Sequence, residues 1–306
     1  MVKLYKNFNI KNNHKNSLIL IGNFDGVHLG HQKLFKLAKL YKKKYKLKIG
    51  VVNFDPMPKM FFNKLLKNFR ITSINQKIEL LSKLKVDFII TKKFDKKFYK
   101  IQSINFIKEI LNKKLKSKFI FVSNNFRFGN KREGNVKLLK NLEKKYRYKI
   151  INPSPLKKNK KIISSSVIRK LLEKGKLERA NRFLNRKWSI EGIVKKGRMI
   201  GKKIGYPTCN IDIGNYVIAK PGVYAVSLNI ENSKKKLKGI ANLGYRPTFN
   251  EKKILLEVNI FNFSKNLYNK KITVNFTKFI RSEKKFNGVD QLRKQIKLDL
   301  IKAKKL

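Results

Sequence analysis

The first half of the chain alternates short, almost wholly apolar runs with stretches in which apolar residues recur every three or four positions. The runs are Ser17–Ile21, Ile49–Phe54, Val86–Ile90, Lys118–Val122 and Tyr148–Ile151, and their lack of in–out alternation predicts strands buried on both faces. Between them, Leu34–Leu40, Ile74–Leu84, Ile104–Leu111 and Val136–Leu142 carry helical spacing. Strand–helix alternation predicts a parallel sheet covered by helices, with ligands beyond the C-terminal strand ends. From Asn152 to Lys161 the pattern breaks at Pro153, Pro155 and a KKNKK run, which reads as a loop, and a helical stretch from Ser166 to Leu184 follows. After Trp188 the segments Ser189–Lys195, Cys209–Ile213, Val223–Ile230, Gly239–Asn242, Ile254–Phe263 and Ile272–Ile280 are short and punctuated by Gly and Pro. They predict a small antiparallel barrel, closed by an amphipathic helix at Val289–Leu300. The change of pattern divides the chain near Asn185, into residues 1–185 and 186–306. No internal repeat is visible.

Composition narrows this picture. At 306 residues and 42% hydrophobic, the chain has material for two packed cores and is not a disordered polymer. A single cysteine, Cys209, excludes an internal disulfide and a thiolate metal cluster, as expected in a reducing cytoplasm. Met1–Asn16 is polar, unlike a signal peptide, and no apolar run approaches the roughly 18 residues that span a bilayer. The expectation is a cytoplasmic protein with no membrane partner. The net charge of +58 invites a nucleic-acid reading. However, 64 lysines stand against 12 arginines, spread along the chain beside abundant Asn, Ile and Phe. That set follows A/T-rich codons, whereas nucleic-acid readers favour the two-point fork of Arg. The charge is therefore read as background, with no specific nucleic-acid partner, and each retained Arg as an informative letter.

After the first strand comes Gly22-Asn23-Phe24-Asp25-Gly26-Val27-His28-Leu29-Gly30-His31 and then a helix. Gly26 and Gly30 let backbone approach a bulky anion, and a helix start offers free N–H groups. Metal ligation or a chance pair on a turn are the plain alternatives for His28 and His31. A zinc site would need further ligands, and Cys209 with His14 is a poor supply. The stretch resembles the ATP-phosphate signature of nucleotidyltransferases related to class I aminoacyl-tRNA synthetases, in the form found in bacterial bifunctional riboflavin kinase/FAD synthetases. Asn53-Phe54-Asp55-Pro56-Met57-Pro58, Phe121–Gly129 with Arg132 and Gly134, and Ile163-Ser164-Ser165-Ser166-Val167-Ile168-Arg169 resemble further motifs of that family in order. Met57, Ser123 and Ser166 stand where the family has His, Gly and Thr. The resemblance implies a Rossmann-like nucleotidyltransferase domain that joins FMN to the α-phosphorus of ATP and releases pyrophosphate. It implies ATP contacts at Gly22, Phe24, Asp25, Gly26 and Gly30, His28 and His31 on the β- and γ-phosphates, Ser164 and Ser165 as donors, and Arg169 as a positive fork. Asn125 and Arg127 would lie on the flavin side.

Gly192–Asn210 reads GIVKKGRMIGKKIGYPTCN: a glycine-spaced basic loop running into Pro-Thr-x-Asn. An ordinary Gly-rich turn is the plain alternative to a phosphate flap with Thr208 and Asn210 oxygens on Mg²⁺. The segment resembles the riboflavin kinase motif, with Lys202 where Arg is usual. Lys220–Val226, Ile240–Phe249, Leu256–Phe263, Asn266-Leu267-Tyr268 and Arg281–Phe286 resemble the family's later segments in order, with Asn259 and Asn262 where His and Asp are usual. The implied phosphate-binding glycines are Gly201 and Gly205. The implied catalytic carboxylate is Glu257, a general base for the ribityl hydroxyl of riboflavin while ATP and Mg²⁺ supply the phosphoryl group. A solvent-facing strand Glu is the alternative, although apolar Leu255, Leu256, Val258 and Ile260 surround it. No segment of the barrel matches a Walker loop.

The expected protein is a bifunctional enzyme that turns riboflavin into FMN in the barrel and FMN into FAD in the first domain. Its partners are small molecules, and it is a monomer or weak homo-oligomer. Two rivals are a kinase with a degenerate first domain and a basic RNA-binding protein on a nucleotidyltransferase core.

Overall fold

The computed structural model describes residues 2–158, 161–197, 199, 201, 204–233, 235–247 and 252–306. Arg198, Ile200, Lys202, Thr248 and Phe249, and Asn159 and Lys160 of the basic run, lie outside the described residues. Contacts divide the chain into two units, one of residues 1–67 and 74–164, the other of residues 68–73 and 165–306.

In the first unit, the apolar runs become β1 (Lys3–Tyr5), β2 (Leu18–Ile21), β3 (Ile49–Asp55), β4 (Phe88–Lys93), β5 (Phe119–Phe121) and, beyond the paired dipeptides β6 (Arg127–Phe128) and β7 (Gly134–Asn135), β8 (Lys149–Ile151). The sheet order is β1-β4-β3-β2-β5-β8, with every pairing parallel. Alternate residues feed two apolar clusters, Ile19, Val52 and Ile120 on one face and Leu20, Val51 and Phe121 on the other. β1 escapes the hydrophobic pattern because it is a short, basic edge strand. β4 begins two residues later than its apolar run, because Asp87 accepts from the Ile49 N–H (2.7 Å) and from Lys42 Nζ at the strand entrance. The expected helix at Ile104–Leu111 forms as a π-helix over Phe106–Lys114. The expected loop after Asn152 contains a short antiparallel ribbon, β9 (Lys157–Lys158) with β10 (Lys161–Ile162).

The sheet order sets the site. From β2 the chain moves to β3 on one side, whereas β5 lies on the other side of β2 and leads to β8. The C-terminal ends of β2 and β5 therefore flank the point where the winding reverses, the usual ligand crevice of such sheets.

In the second unit, the expected single helical stretch is two helices, Ser165–Glu173 and Leu177–Leu184. Gly175 separates them with φ +69°, and its N–H bonds Leu172 O at 2.9 Å. β11 (Ser189–Lys195), β12 (Cys209–Asp212), β13 (Gly222–Ile230), β14 (Lys236–Pro247), β15 (Lys252–Ile260) and β16 (Lys271–Ser282) form a closed barrel in the order β11-β12-β15-β14-β13-β16. Trp188, Tyr224 and Phe276 pack together in its interior. Residues 68–73 complete this unit: Phe69 and Arg70 donate to Asn215 O, and the Trp188 indole donates to Ile71 O at 3.0 Å. The last helix, Val289–Lys304, lays Leu300 and Ala303 on the outer face of β13 and β14, against Val223, Ala225 and Ile240.

Candidate active sites

The loop after β2 is built under strain. Phe24 and Val27 adopt φ +46° and +39°, flanking Gly26 at +80°. Such conformations cost L-residues about 1 kcal/mol or more each. Burial of the Phe24 and Val27 side chains in the core holds them there. Gly30 is needed for close approach: a Cβ would lie 3.1 Å from the His28 imidazole and 3.2 Å from Ile163 O. This contact brings the start of the Ile163–Ser164 segment to the histidine loop. His28 caps the 17-residue helix Leu29–Tyr45, and its ring stacks on His31 with centroids 3.7 Å apart. Burial, then His28, then the charge of Lys77 hold the His31 imidazole well below its ordinary pKa, so it is neutral at physiological pH. His31 Nδ1 is buried with no hydrogen-bond partner among the described residues. Two imidazoles at the N-terminus of a long helix form an anion-receiving surface.

The loop after β5 leaves from the same crevice. Ser123 Oγ donates to Asn125 Oδ1 at 2.9 Å, and Asn125 and Arg127 are exposed. Next to it runs a band of aromatic rings, Phe126–Phe128–Phe106–Phe98–Phe94–Phe62, each within 6.3 Å of the next. Phe62, at its far end, is 62% exposed. Met57, in place of the family's His, is buried at the start of the short helix Pro58–Phe62. Ser164 is half-buried and belongs to this unit, whereas Ser165 and Arg169 belong to the second. There the Arg169 guanidinium lies flat on the Phe69 ring, 3.6 Å from its centroid, and Nε donates to Phe69 O.

In the barrel, register does the assembling. Glu257 lies opposite Asn210 on one neighbouring strand and opposite Asn242 on the other. Residues directly opposite in antiparallel pairs share a face, so the carboxylate stands between two amides. Leu256 and Val258 point into the barrel core, which leaves Glu257 on the outer face. Thr208, two residues before Asn210, shares that face. Thr208, Asn242 and Glu257 line a cavity of about 350 Å³, walled on its far side by Leu292, Ile296 and Leu300 of the last helix. Asn210 Oδ1 is buried with no hydrogen-bond partner among the described residues. Gly201 is at the cavity rim, where a Cβ would strike Tyr206 O, and the exposed Gly205 turns the loop at φ +86°. Glu283 and the ion-paired Arg281 and Asp299 also line the cavity. Sequence reasoning gave these three no role, because their meeting depends on folding strand against helix. It also missed Lys77 and the aromatic band.

Among the described residues both units gather hydrogen-bond donors and polar oxygens suited to phosphate groups, the chemistry of phosphate-transfer enzymes. The FAD synthetase family matches residues 10–167, and the Riboflavin kinase family matches residues 184–306. The chain is 44% identical to the bifunctional riboflavin kinase/FMN adenylyltransferase of Buchnera aphidicola subsp. Schizaphis graminum, with 97% of this chain and 96% of that protein covered. It is 34% identical to the protein of the same description from Escherichia coli K12, with 94% and 91% covered. A solved structure described as a macrolide-efflux protein from Streptococcus pneumoniae superimposes with a TM-score of 0.88 at 28% identity, covering 100% of this chain and 99% of that one. The chain belongs to the bifunctional riboflavin kinase/FMN adenylyltransferase family: it phosphorylates riboflavin to FMN and adenylylates FMN to FAD. No helix among the described residues is long and apolar enough to cross a membrane.

Proposed function

We propose that kinase chemistry is carried by Glu257 as general base, with Thr208 and Asn210 holding Mg²⁺ and Gly201 and Gly205 shaping the loop over the ATP phosphates. The observation that carries this reading is the row Asn210–Glu257–Asn242 beside the cavity. The donors fit the ion: an amide oxygen without a partner among the described residues and a hydroxyl on the same face are hard ligands, and Mg²⁺ takes few protein oxygens when phosphates supply the rest. When bound, the ion neutralises charge on the transferring phosphoryl group. Glu257 then takes the ribityl hydroxyl proton as that oxygen attacks the γ-phosphorus, and ADP leaves.

For adenylylation, His28 and His31 contact the β- and γ-phosphates over the helix N-terminus, within the loop Gly22, Phe24, Asp25, Gly26 and Gly30. The FMN phosphate attacks the α-phosphorus, and the leaving pyrophosphate gains charge that imidazole N–H donors and helix N–H groups can meet without a covalent intermediate. Ser164 and Ser165 donate to phosphate oxygens, and Arg169, held flat on Phe69, supplies fixed positive charge. Asn125 and Arg127 lie on the flavin side, where the half-buried Phe126 ring, stacked on Phe128, suits a flat flavin ring. The two activities divide at Asn185, residues 1–185 for adenylyl transfer and 186–306 for the kinase. The change of matched family between residues 167 and 184 supports that division. The enzyme is cytoplasmic and works as a monomer or weak homo-oligomer, without a specific nucleic-acid partner.

The test is chromatography of flavins formed from riboflavin, ATP and Mg²⁺. Glu257→Gln should abolish FMN formation and leave supplied FMN convertible to FAD. His28→Ala with His31→Ala should do the reverse. Loss of both activities in a folded variant contradicts the two-site reading.

A further inference from the structure

Lys77 lies on the helix Ile74–Lys83 and is only 1% exposed. With Ile74, Ile78 and Leu81 it completes a stripe at spacings of three and four, where an apolar residue would cost least. An ammonium placed there loses its hydration and has to be compensated by fixed dipoles. The structure supplies them. Lys77 Nζ donates to Asn23 O at 3.1 Å, in the strained loop, and to Asn53 Oδ1 at 3.4 Å. Asn53, itself 1% exposed, donates to Ile90 O at 3.2 Å and Thr91 Oγ1 at 3.1 Å on β4. A continuous polar strut therefore runs from β4 through Asn53 and Lys77 to the second residue of the histidine loop. The charge of Lys77 also reaches His31, where it helps to keep the ring neutral.

We propose that Lys77 is a positioning residue for adenylyl transfer: its buried ammonium fixes the Asn23 carbonyl to the ends of β3 and β4 and so presets the loop that presents His28 and His31 to the ATP phosphates. This rests on the reading of that loop as the ATP site. A cation beneath the loop also offsets negative charge as pyrophosphate leaves, and its burial limits screening by solvent.

The experiment compares Lys77→Met with wild type in steady-state FMN adenylylation, using riboflavin phosphorylation by the same preparation as the internal control. The expected result is a fall of about a hundredfold in kcat/KM for ATP, mostly in kcat, with kinase activity unchanged. A merely structural lysine would instead lower the unfolding temperature and leave kcat intact below it. Lys77→Arg, which keeps the charge and the donors, should recover at least a tenth of the wild-type rate. Asn53→Leu removes only the strand-side anchor and should cost about tenfold in kcat, so the strut can be tested even if Lys77→Met does not fold. Wild-type kcat in either Lys77→Met or Asn53→Leu overturns the proposal. If His28→Ala with His31→Ala also leaves adenylylation intact, the ATP-loop reading has failed. If that pair is inactive while Lys77→Met is active, only the Lys77 role has failed.

Discussion

Removing the Asp299 carboxylate should loosen the kinase unit from its last helix. Asp299 is 2% exposed. It accepts from Arg281 Nε at 3.0 and 2.8 Å, makes a 2.7 Å contact with Arg281 Nη2, and accepts from Gln295 Nε2 at 2.9 Å. The pair joins β16 to the helix Val289–Lys304 beside the cavity. Deleting one partner of a buried pair costs about 3–5 kcal/mol, because the other charge is left desolvated and uncompensated. Asp299→Ala is expected at the lower end, since Arg281 can still donate through Nη1 to Ser282 O. Trp188 is the chain's one tryptophan and is fully buried in the barrel, so its fluorescence during urea unfolding reports this unit alone. The expected loss is ~3 kcal/mol, a large share of the roughly 5–15 kcal/mol of a typical domain. Riboflavin KM should rise, because the helix walls the cavity. The double variant Arg281→Met, Asp299→Leu should regain most of the stability, as matched apolar replacements of buried pairs do. A Trp188 transition that Asp299→Ala leaves unmoved would show that the pair does not hold the helix.

The first unit should weaken on acidification. His14, stacked on Phe88 at 4.6 Å and hydrogen-bonded to the Tyr5 hydroxyl, has its pKa lowered by burial and by Lys48, and His31 is lowered further. Both rings hold a proton less readily in the folded state than in the unfolded chain, which takes up protons near pH 6.5. Their contribution is complete above that value and is lost as pH falls below it, by up to ~1.4 kcal/mol per pH unit for each ring. Urea midpoints from circular dichroism at pH 7.5 and 5.5 check this, and equal midpoints for the first unit refute it. Gly30→Ala should slow adenylylation by about tenfold without affecting the kinase, because the new Cβ presses on His28 and Ile163 O; the same flavin chromatography reads both activities.

Legibility in the sequence followed burial. β2, β3 and β5 are covered on both faces and read as uninterrupted apolar runs, whereas the edge strand Lys3–Tyr5 carries no such signal. β14 extends from Lys236 to Pro247, although only Gly239–Asn242 reads as strand, because its start puts Lys236 and Lys238 into solvent, where composition says nothing about backbone. Gly175 between the two helices was visible as a letter. What could not be read was its left-handed turn, which depends on how the following helix packs. Resemblance to family motifs pointed to the histidine loop and to Glu257. It could not show that Asn210 and Asn242 flank that carboxylate, because the pairing joins residues 47 and 15 positions away only once the barrel closes.

Lys77 shows how composition can hide a site. Among 64 lysines one more ammonium carries almost no information, and reading the charge as coding bias removes it from view. Helical periodicity restores it: a lysine that occupies an apolar-stripe position is out of place in a way that a lysine on the opposite face is not. Coding drift readily adds lysine where solvent accepts it, but a fully desolvated ammonium resists such drift because burial must be compensated. The relevant contrast in this chain is therefore between lysines that water accommodates and one that the fold must accommodate, through Asn23 and Asn53. The net charge fails to distinguish them, and the geometry of the strut does.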